Sequence, residues 1–153
     1  MNQESYPYYG NPIGSIAQSV AVYNNKLIIG INNEYKLLIF NISNSGLTYE
    51  TEILTDGLSP REIIIVNDKA YISQWIKHSI AVVDLTTLII EQIEMPGCSE
   101  GLTTDGTYLY ATIKYLNNNA DWPYPAGNTV EKINLSANLI ENSFSVSNNP
   151  DMA

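Results

Sequence analysis

Arg61-Glu62-Ile63-Ile64-Ile65-Val66-Asn67-Asp68-Lys69-Ala70-Tyr71-Ile72 reads as a polar entry, an apolar run, a two-residue Asn/Asp turn and a second apolar run. The same grammar stands earlier, in Gln18-Ser19-Val20-Ala21-Val22-Tyr23-Asn24-Asn25-Lys26-Leu27-Ile28-Ile29. It returns later, in Glu100-Gly101-Leu102-Thr103-Thr104-Asp105-Gly106-Thr107-Tyr108-Leu109-Tyr110-Ala111. The step from Gln18 to Arg61 is 43 residues, and from Arg61 to Glu100 it is 39. Asn and Asp tolerate positive φ, so each turn suits a tight hairpin, and Asp105-Gly106 is the strongest hairpin signal of the three.

A period near forty residues with strand content throughout is the signature of one propeller blade per repeat. The spacing predicts strands at 16–23, 26–31, 36–42 and 47–54 in the first repeat, about 14–57. The second repeat, about 58–97, gives 62–66, 69–75, 79–85 and 88–95. The third, about 98–148, gives 101–104, 107–115, 128–135 and 138–146. Ile63-Ile64-Ile65-Val66 and Ile80-Ala81-Val82-Val83 are continuous rather than alternating, as expected of strands covered on both faces by neighbouring blades. No segment keeps a 3.6-residue period, and β-branched residues fill the apolar runs, so helices are not expected. The fold class is all-β: three four-stranded antiparallel blades of a β-propeller, an incomplete ring.

Composition narrows the partners. With 153 residues and 44% hydrophobic content, the chain can bury a core. Its net charge of −9 argues against nucleic acid, which needs a basic footprint, and against an anionic membrane surface. Cys98 is the only cysteine and His78 the only histidine, so neither a disulfide nor a thiolate metal cluster is available within the chain. No serine sits in a G-x-S-x-G elbow. No apolar run is long enough for a transmembrane helix, and Met1 to Gly10 lacks the apolar stretch of a signal peptide. Asn41, Asp84 and Asn134 fall at the end of each third strand. Although Asn41-Ile42-Ser43 and Asn134-Leu135-Ser136 match the glycosylation triplet, the equivalence with Asp84 favours Asx turns.

The second repeat carries a more specific likeness. Ser59-Pro60-Arg61-Glu62-Ile63, Lys69-Ala70-Tyr71-Ile72-Ser73, Ile80-Ala81-Val82-Val83-Asp84-Leu85-Thr86-Thr87 and Ile93-Glu94-Met95-Pro96-Gly97 resemble the YncE-like, YVTN-type propeller repeat. Ala70 to Ser73 stand where that family writes Tyr-Val-Thr-Asn. Gly10-Asn11-Pro12-Ile13-Gly14, Gln18-Ser19 and Asn32-Asn33 are similar to a Bacteroidetes branch, the surface propellers of the DUF5074 type. The resemblance implies a seven-bladed ring in an exported, lipid-anchored protein of the periplasm or cell surface. Some relatives capture small molecules, cobalamin among them, and an outer-membrane transporter is the implied partner. The chain departs from the pattern in lacking the export signal and the anchoring cysteine. A seven-bladed ring needs roughly 300 residues. Asn149-Pro150-Asp151-Met152-Ala153 reads as the opening of a fourth repeat, so the chain is expected to be part of a longer protein. The alternative is that several copies complete a ring.

Blade topology then sorts the loops. The entry to the first strand and the connection between the second and third share one face. The entries contribute Gln18, Arg61, Glu62, Glu100 and Asp151. The connections contribute Asn33, Tyr35, Trp75, Lys77 and His78, and an insertion from Tyr115 to Pro125 that includes Trp122 and Tyr124. The insertion lengthens the third repeat, so that Ser99 to Pro150 spans 51 residues. Long loops on a rigid scaffold concentrate binding residues, and Pro123 and Pro125 limit this one's conformations. Aromatic rings beside amides and carboxylates suit a flat, partly polar organic ligand or a sugar. The same rings could instead cap blade packing. Arg61 and Glu62 could pair between blades, and Glu62 and Glu100 could form a carboxylate pair.

The residues assign no catalytic group, metal or cofactor. The expected function is a non-enzymatic propeller that captures a small organic ligand, cobalamin-like or glycan, at the channel-mouth face. A protein-interaction scaffold and a lactonase- or lyase-type enzyme are the alternatives.

Overall fold

The computed structural model describes residues 13–55, 59–116 and 126–146. Within them β-branched and aromatic runs punctuated by Asn, Asp and Gly form twelve strands. The first four are β1 (Ala17–Tyr23), β2 (Lys26–Ile31), β3 (Lys36–Ser43) and β4 (Gly46–Leu54). The next are β5 (Pro60–Val66), β6 (Lys69–Gln74), β7 (Ser79–Asp84) and β8 (Ile90–Glu94). The last are β9 (Cys98–Thr104), β10 (Tyr108–Tyr115), β11 (Thr129–Asn134) and β12 (Leu139–Ser145). They pair antiparallel in chain order into three sheets, β1 to β4, β5 to β8 and β9 to β12. Each repeat is therefore one meander blade. The hairpin turns work as their sequence requires: Asn24, Asn67, Asp68 and Gly106 all take positive φ.

Two aliphatic seams hold the blades together. Ile28, Leu37, Ile39 and Ile53 of the first blade meet Ile63, Ala70, Ile72, Ala81 and Val83 of the second. Tyr71, Ile80, Val82 and Ile93 of the second meet Leu102, Leu109, Ala111, Ile113 and Ile133 of the third. The continuous runs are thereby explained. Ile63 and Ile65 pack into the first seam, and Ile64 and Val66 into the second. Ala81 and Val83 likewise face one way, and Ile80 and Val82 the other. Burying a Val, Leu or Ile side chain stabilises by about 1.5–3 kcal/mol, so these seams are the main source of order. A third cluster, Ile29, Ile31, Leu38 and Phe40, lies on the far face of blade one. On that face Val20 and Val22 are 66% and 63% exposed.

Strand starts and one turn differ from expectation. β5 and β9 start at Pro60 and Cys98, earlier than 62 and 101, because pairing resumes beyond an irregularity in each inner ladder. Asp84 and Asn134 do form Asx turns, accepting the amides of Thr86 and Thr87 and of Ser136 and Ala137. Asn41 does not: β3 runs on to Ser43, so Asn41 stays in the ladder opposite Lys26 and Thr48. The turn there is closed by Ser43 Oγ, which donates to the Gly46 carbonyl. Residues 1–12, the insertion over 117–125 with Trp122 and Tyr124, and the fourth-repeat opening with Asp151 lie outside the described residues.

Candidate functional site

The inner strands β1, β5 and β9 enter at the same point of each repeat, which brings Gln18, Arg61 and Glu100 together. Arg61 is the hub. Its Nη1 donates to Gln18 Oε1 at 2.9 Å and its Nε to Glu100 Oε1 at 2.8 Å; Nη2 bonds the same Glu100 oxygen. One guanidinium thus bridges three blades. Arg is suited to this because its fork is rigid and always charged. Its cationic face lies 4.9 Å from the centre of the Trp75 ring, within cation–π reach. Tyr115 stands 6.4 Å from Trp75, tilted by 37°. Lys114 closes the cluster, with Nζ 3.5 Å from Glu100 Oε2 and 5.7 Å from the Tyr115 ring. The side chains of Arg61 and Glu100 are mostly buried, so solvent screens this pair less than a surface pair.

Polar clamps fix the strand entries beneath these side chains. Ser73 Oγ accepts the Glu62 amide at 3.0 Å and donates to the Glu100 carbonyl at 2.5 Å. The Gln74 amide donates to Ser99 Oγ at 3.1 Å. Glu62 Oε2 accepts the Leu102 amide at 2.6 Å. One blade earlier, Asn32 Nδ2 donates to the Pro60 carbonyl at 2.9 Å and Ser59 Oγ to the Asn32 carbonyl at 3.3 Å. Asn32, Ser59, Ser73, Gln74 and Ser99 are all buried. The side chains of Asn32, Ser59, Ser73 and Ser99 satisfy backbone groups that the sheet ladders leave over at a blade boundary, and Gln74 Nε2 donates to Gln92 Oε1 at 3.2 Å.

Above the clamps lies an open cleft of about 280 Å³, lined by Gln18, Ser19, Arg61, Glu62, Glu100 and Gly101. Gly101 keeps the wall low, since a Cβ there would stand 3.2 Å from Thr112 Oγ1. Two buried oxygens of the lining residues, Ser19 Oγ and Glu100 Oε2, take no hydrogen bond.

Of the sequence-predicted residues, the fold unites Gln18, Arg61, Glu62, Glu100, Trp75 and Tyr115. Asn33, Tyr35 and His78 sit on loops of the same face, and among the described residues no hydrogen bond, ion pair or ring contact joins them to the Arg61 cluster. Tyr35 is a turn residue, with φ of 53° and its carbonyl accepting the Thr55 amide. Arg61 takes the inter-blade role left open above. Glu62 and Glu100 are engaged separately: the first accepts a backbone amide and the second accepts from Arg61. Cys98 is fully buried, and burial pushes its thiol up to about 11, so it is a weak nucleophile.

Sequence reading missed Ser19 and Lys114. Lys114 was within reach of it, because Lys114 lies 39 residues after Trp75, the same step that separates Glu100 from Arg61. Among the described residues no group of three or more His, Cys, Asp or Glu side chains could hold a metal ion. No helix in them is long and apolar enough to cross a membrane.

No family model matches this chain, and no curated protein matches it. Solved structures do. Hydrazine synthase of Kuenenia stuttgartiensis aligns with a TM-score of 0.65 at 16% identity, over 84% of this chain and 36% of that one. Apo AztD of Citrobacter koseri, a β-propeller-type protein, aligns at 0.60 and 14% identity, over 85% of this chain and 34% of that one. The computationally designed Ika8 protein aligns at 0.65 and 7% identity, over 86% and 37%. The chain spans about a third of the length of these structures. At such identities the likeness shows the fold alone: these three sheets are arranged as propeller blades.

Proposed function

We propose that this chain belongs to a non-enzymatic binding propeller and takes a small organic ligand at the channel mouth. The observation that carries this reading is the cleft on the axis side of three blades. Its polar groups come from the same position of successive repeats and are held by one another. Its size is near the lower end for small-molecule sites, roughly 300 Å³ and upward. The Arg61 network and the buried clamps fix the walls in advance, which lowers the ordering cost of binding. A lactonase or lyase reading would need channel carboxylates converging on a metal. Here Glu100 is engaged by Arg61, and Glu62 by the Leu102 amide. On the repeat's resemblance, the reading extends to a propeller of the periplasm or cell surface, with cobalamin or a glycan as the captured class and an outer-membrane transporter as neighbour.

The test is a thermal-shift screen of the chain against cobalamin, simple saccharides, aliphatic amines and small anions, followed by calorimetry. A true ligand at a hundred times its Kd stabilises by about 2.7 kcal/mol, so the melting temperature rises. Loss of that rise in Arg61→Met, with the fold retained by circular dichroism, is expected. Silence across the panel would overturn the reading. One observation favours a scaffold as second reading, namely Val20 and Val22 standing exposed on the free face of blade one. Replacing both by Lys should then abolish association in cross-linking while leaving small-molecule binding intact.

A further inference from the structure

Each blade has two faces, one toward the blade before it and one toward the blade after it, and both seams join faces of opposite kind. The outer faces of blades one and three carry seam residues at positions left open. Val20, Ile63 and Leu102 hold the same repeat position, at steps of 43 and 39 residues. Ile63 and Leu102 are each 7% exposed inside a seam, whereas Val20 is 66% exposed. Blade three repeats the pattern on its other side. By ladder register Ile53, Ile93 and Phe144 share one position, opposite Leu37, Ile80 and Val130. Ile53 and Ile93 are 7% and 3% exposed, and Phe144 is 44% exposed. Val146 follows β12 as Met95 follows β8, and is 40% exposed against 6%. Apolar side chains left open together, at positions buried in the sister repeats, mark a contact surface.

The repeat also indicates what fits. Leu102 packs with Tyr71 and Ile80 of the blade before it. On the open face of blade three, Tyr110 takes the place of Tyr71 and Val130 that of Ile80. With Gly101, Leu102, Thr103 and Thr112 they line a groove of about 320 Å³. The matching knob is a residue of the Leu102 position on an inner strand. Blade one offers Val20 at that position, with Val22 beside it on β1. The outer part of blade one's face is already occupied, since Ile13 and Tyr49 pack there against Ile31, Leu38 and Phe40. Lys132 stands where Ile39 and Val82 stand, but its Nζ is paired with Glu141 at 2.8 Å, so it brings no unpaired charge to the contact. Resting on the scaffold reading above and naming its partner, we propose that the chain associates head to tail with a second copy. Val20 and Val22 of each copy seat in the blade-three groove of the other. Such a contact joins two different surfaces and closes only as a ring. Two copies bring six blades together, within the four to eight that propellers use, whereas three copies would bring nine.

Size-exclusion chromatography with light scattering on the full chain tests this, with twice the mass of one chain expected. Val20→Lys and Phe144→Lys each put an unpaired charge into the contact and should raise the dissociation constant by about a hundredfold. Circular dichroism should not change, because both side chains are exposed within one copy. Ile89→Lys, similarly exposed but on blade two, should leave the mass as it is. Mixing Val20→Cys copies with Val130→Cys copies should give a disulfide between them, and Cys98 is fully buried and does not compete. A two-copy mass in which Val20→Cys cross-links only to itself would overturn the head-to-tail arrangement. A mass climbing beyond two copies with concentration would overturn the closed ring. A monomer whose Val20→Cys thiol reacts with maleimide would overturn the second copy and leave the scaffold reading standing. A monomer in which that thiol is shielded would overturn both.

Discussion

Ile28, Leu37, Ile72 and Ala81 lie between blades one and two with no exposed surface, while Gln18, at the inner end of the same seam, is exposed. The seam is built of packed aliphatic side chains. The mouth is polar, and its residues hold one another by directional bonds. The two regions share strands, since β1, β5 and β9 feed both. Packing at the seam is non-directional and worth most per residue, so it decides whether the blades stay together. Hydrogen bonds at the mouth return little net stability but fix positions, which is what a recognition surface needs.

The largest effect that can break this comparison is at the seam. Leu37→Ala or Ile72→Ala removes a fully buried aliphatic side chain and should cost about 2–5 kcal/mol. Urea denaturation would read it, and the intrinsic affinity of the remaining folded protein for a ligand should not change. A loss of affinity with little loss of stability would place recognition in the seam and collapse the distinction.

Asn32→Ala comes next, on the border between the regions. Asn32 is buried, and its amide spans to the Pro60 carbonyl of the next blade. Its loss leaves that acceptor unsatisfied and should cost about 1–3 kcal/mol. Asn32→Asp should cost at least as much, because the donor is replaced by a buried charge. If Asn32→Ala were silent in urea denaturation, the clamps would not be positioning the entry strands.

Glu100→Gln tests the mouth itself. It keeps an acceptor for Arg61 but removes the charge that Arg61 and Lys114 share. The pair is neither fully buried nor open to solvent, so a cost of about 1–2 kcal/mol lies between the surface and buried cases. Arg61→Met should cost a similar amount, and the double variant less than the sum. Strict additivity in that cycle would mean the bridge across three blades is not a coupled unit.

How much of this was legible beforehand follows the same division. Strand identity was legible because β-branched runs and Asn/Asp turns act locally, and repeat phase then carried Gln18, Arg61 and Glu100 to one place. The two-sided burial of Ile63-Ile64-Ile65-Val66 was legible for the same reason. Local signals could not show what Arg61 would choose among Glu62, Glu100 and a ligand, because that depends on rotamers set across three blades. They could not show that Asn32 rather than Asn33 turns inward, since neighbours on a strand end differ only in which face they meet. Asn41 misled because β3 continues two residues beyond it in the ladder, and the Ser43 hydroxyl supplied another way to close the turn.

The smallest predicted effect separates the two regions by pH. The apolar seam clusters contain no titrating carboxyl or amine, so acid should act elsewhere. At the β9–β10 turn, Asp105 accepts the backbone amides of Tyr108 and Thr107, and these bonds hold its carboxyl below the usual carboxylate range. Asp84 is held down in the same way by Thr87 and Thr86. A carboxyl whose pKa is lower folded than unfolded stabilises above its unfolded value, roughly 4, and that contribution disappears as pH falls through the folded value. Asp105→Asn keeps an amide oxygen for the turn but removes the titration. Its denaturation midpoint should lie slightly below that of the parent at neutral pH, and the two should converge as the solution is acidified below pH of about 4. Asp105 is exposed and Asp84 partly so, which keeps the shift small, and an acid limb unchanged by both Asp105→Asn and Asp84→Asn would show that these turn carboxylates carry none of the pH dependence.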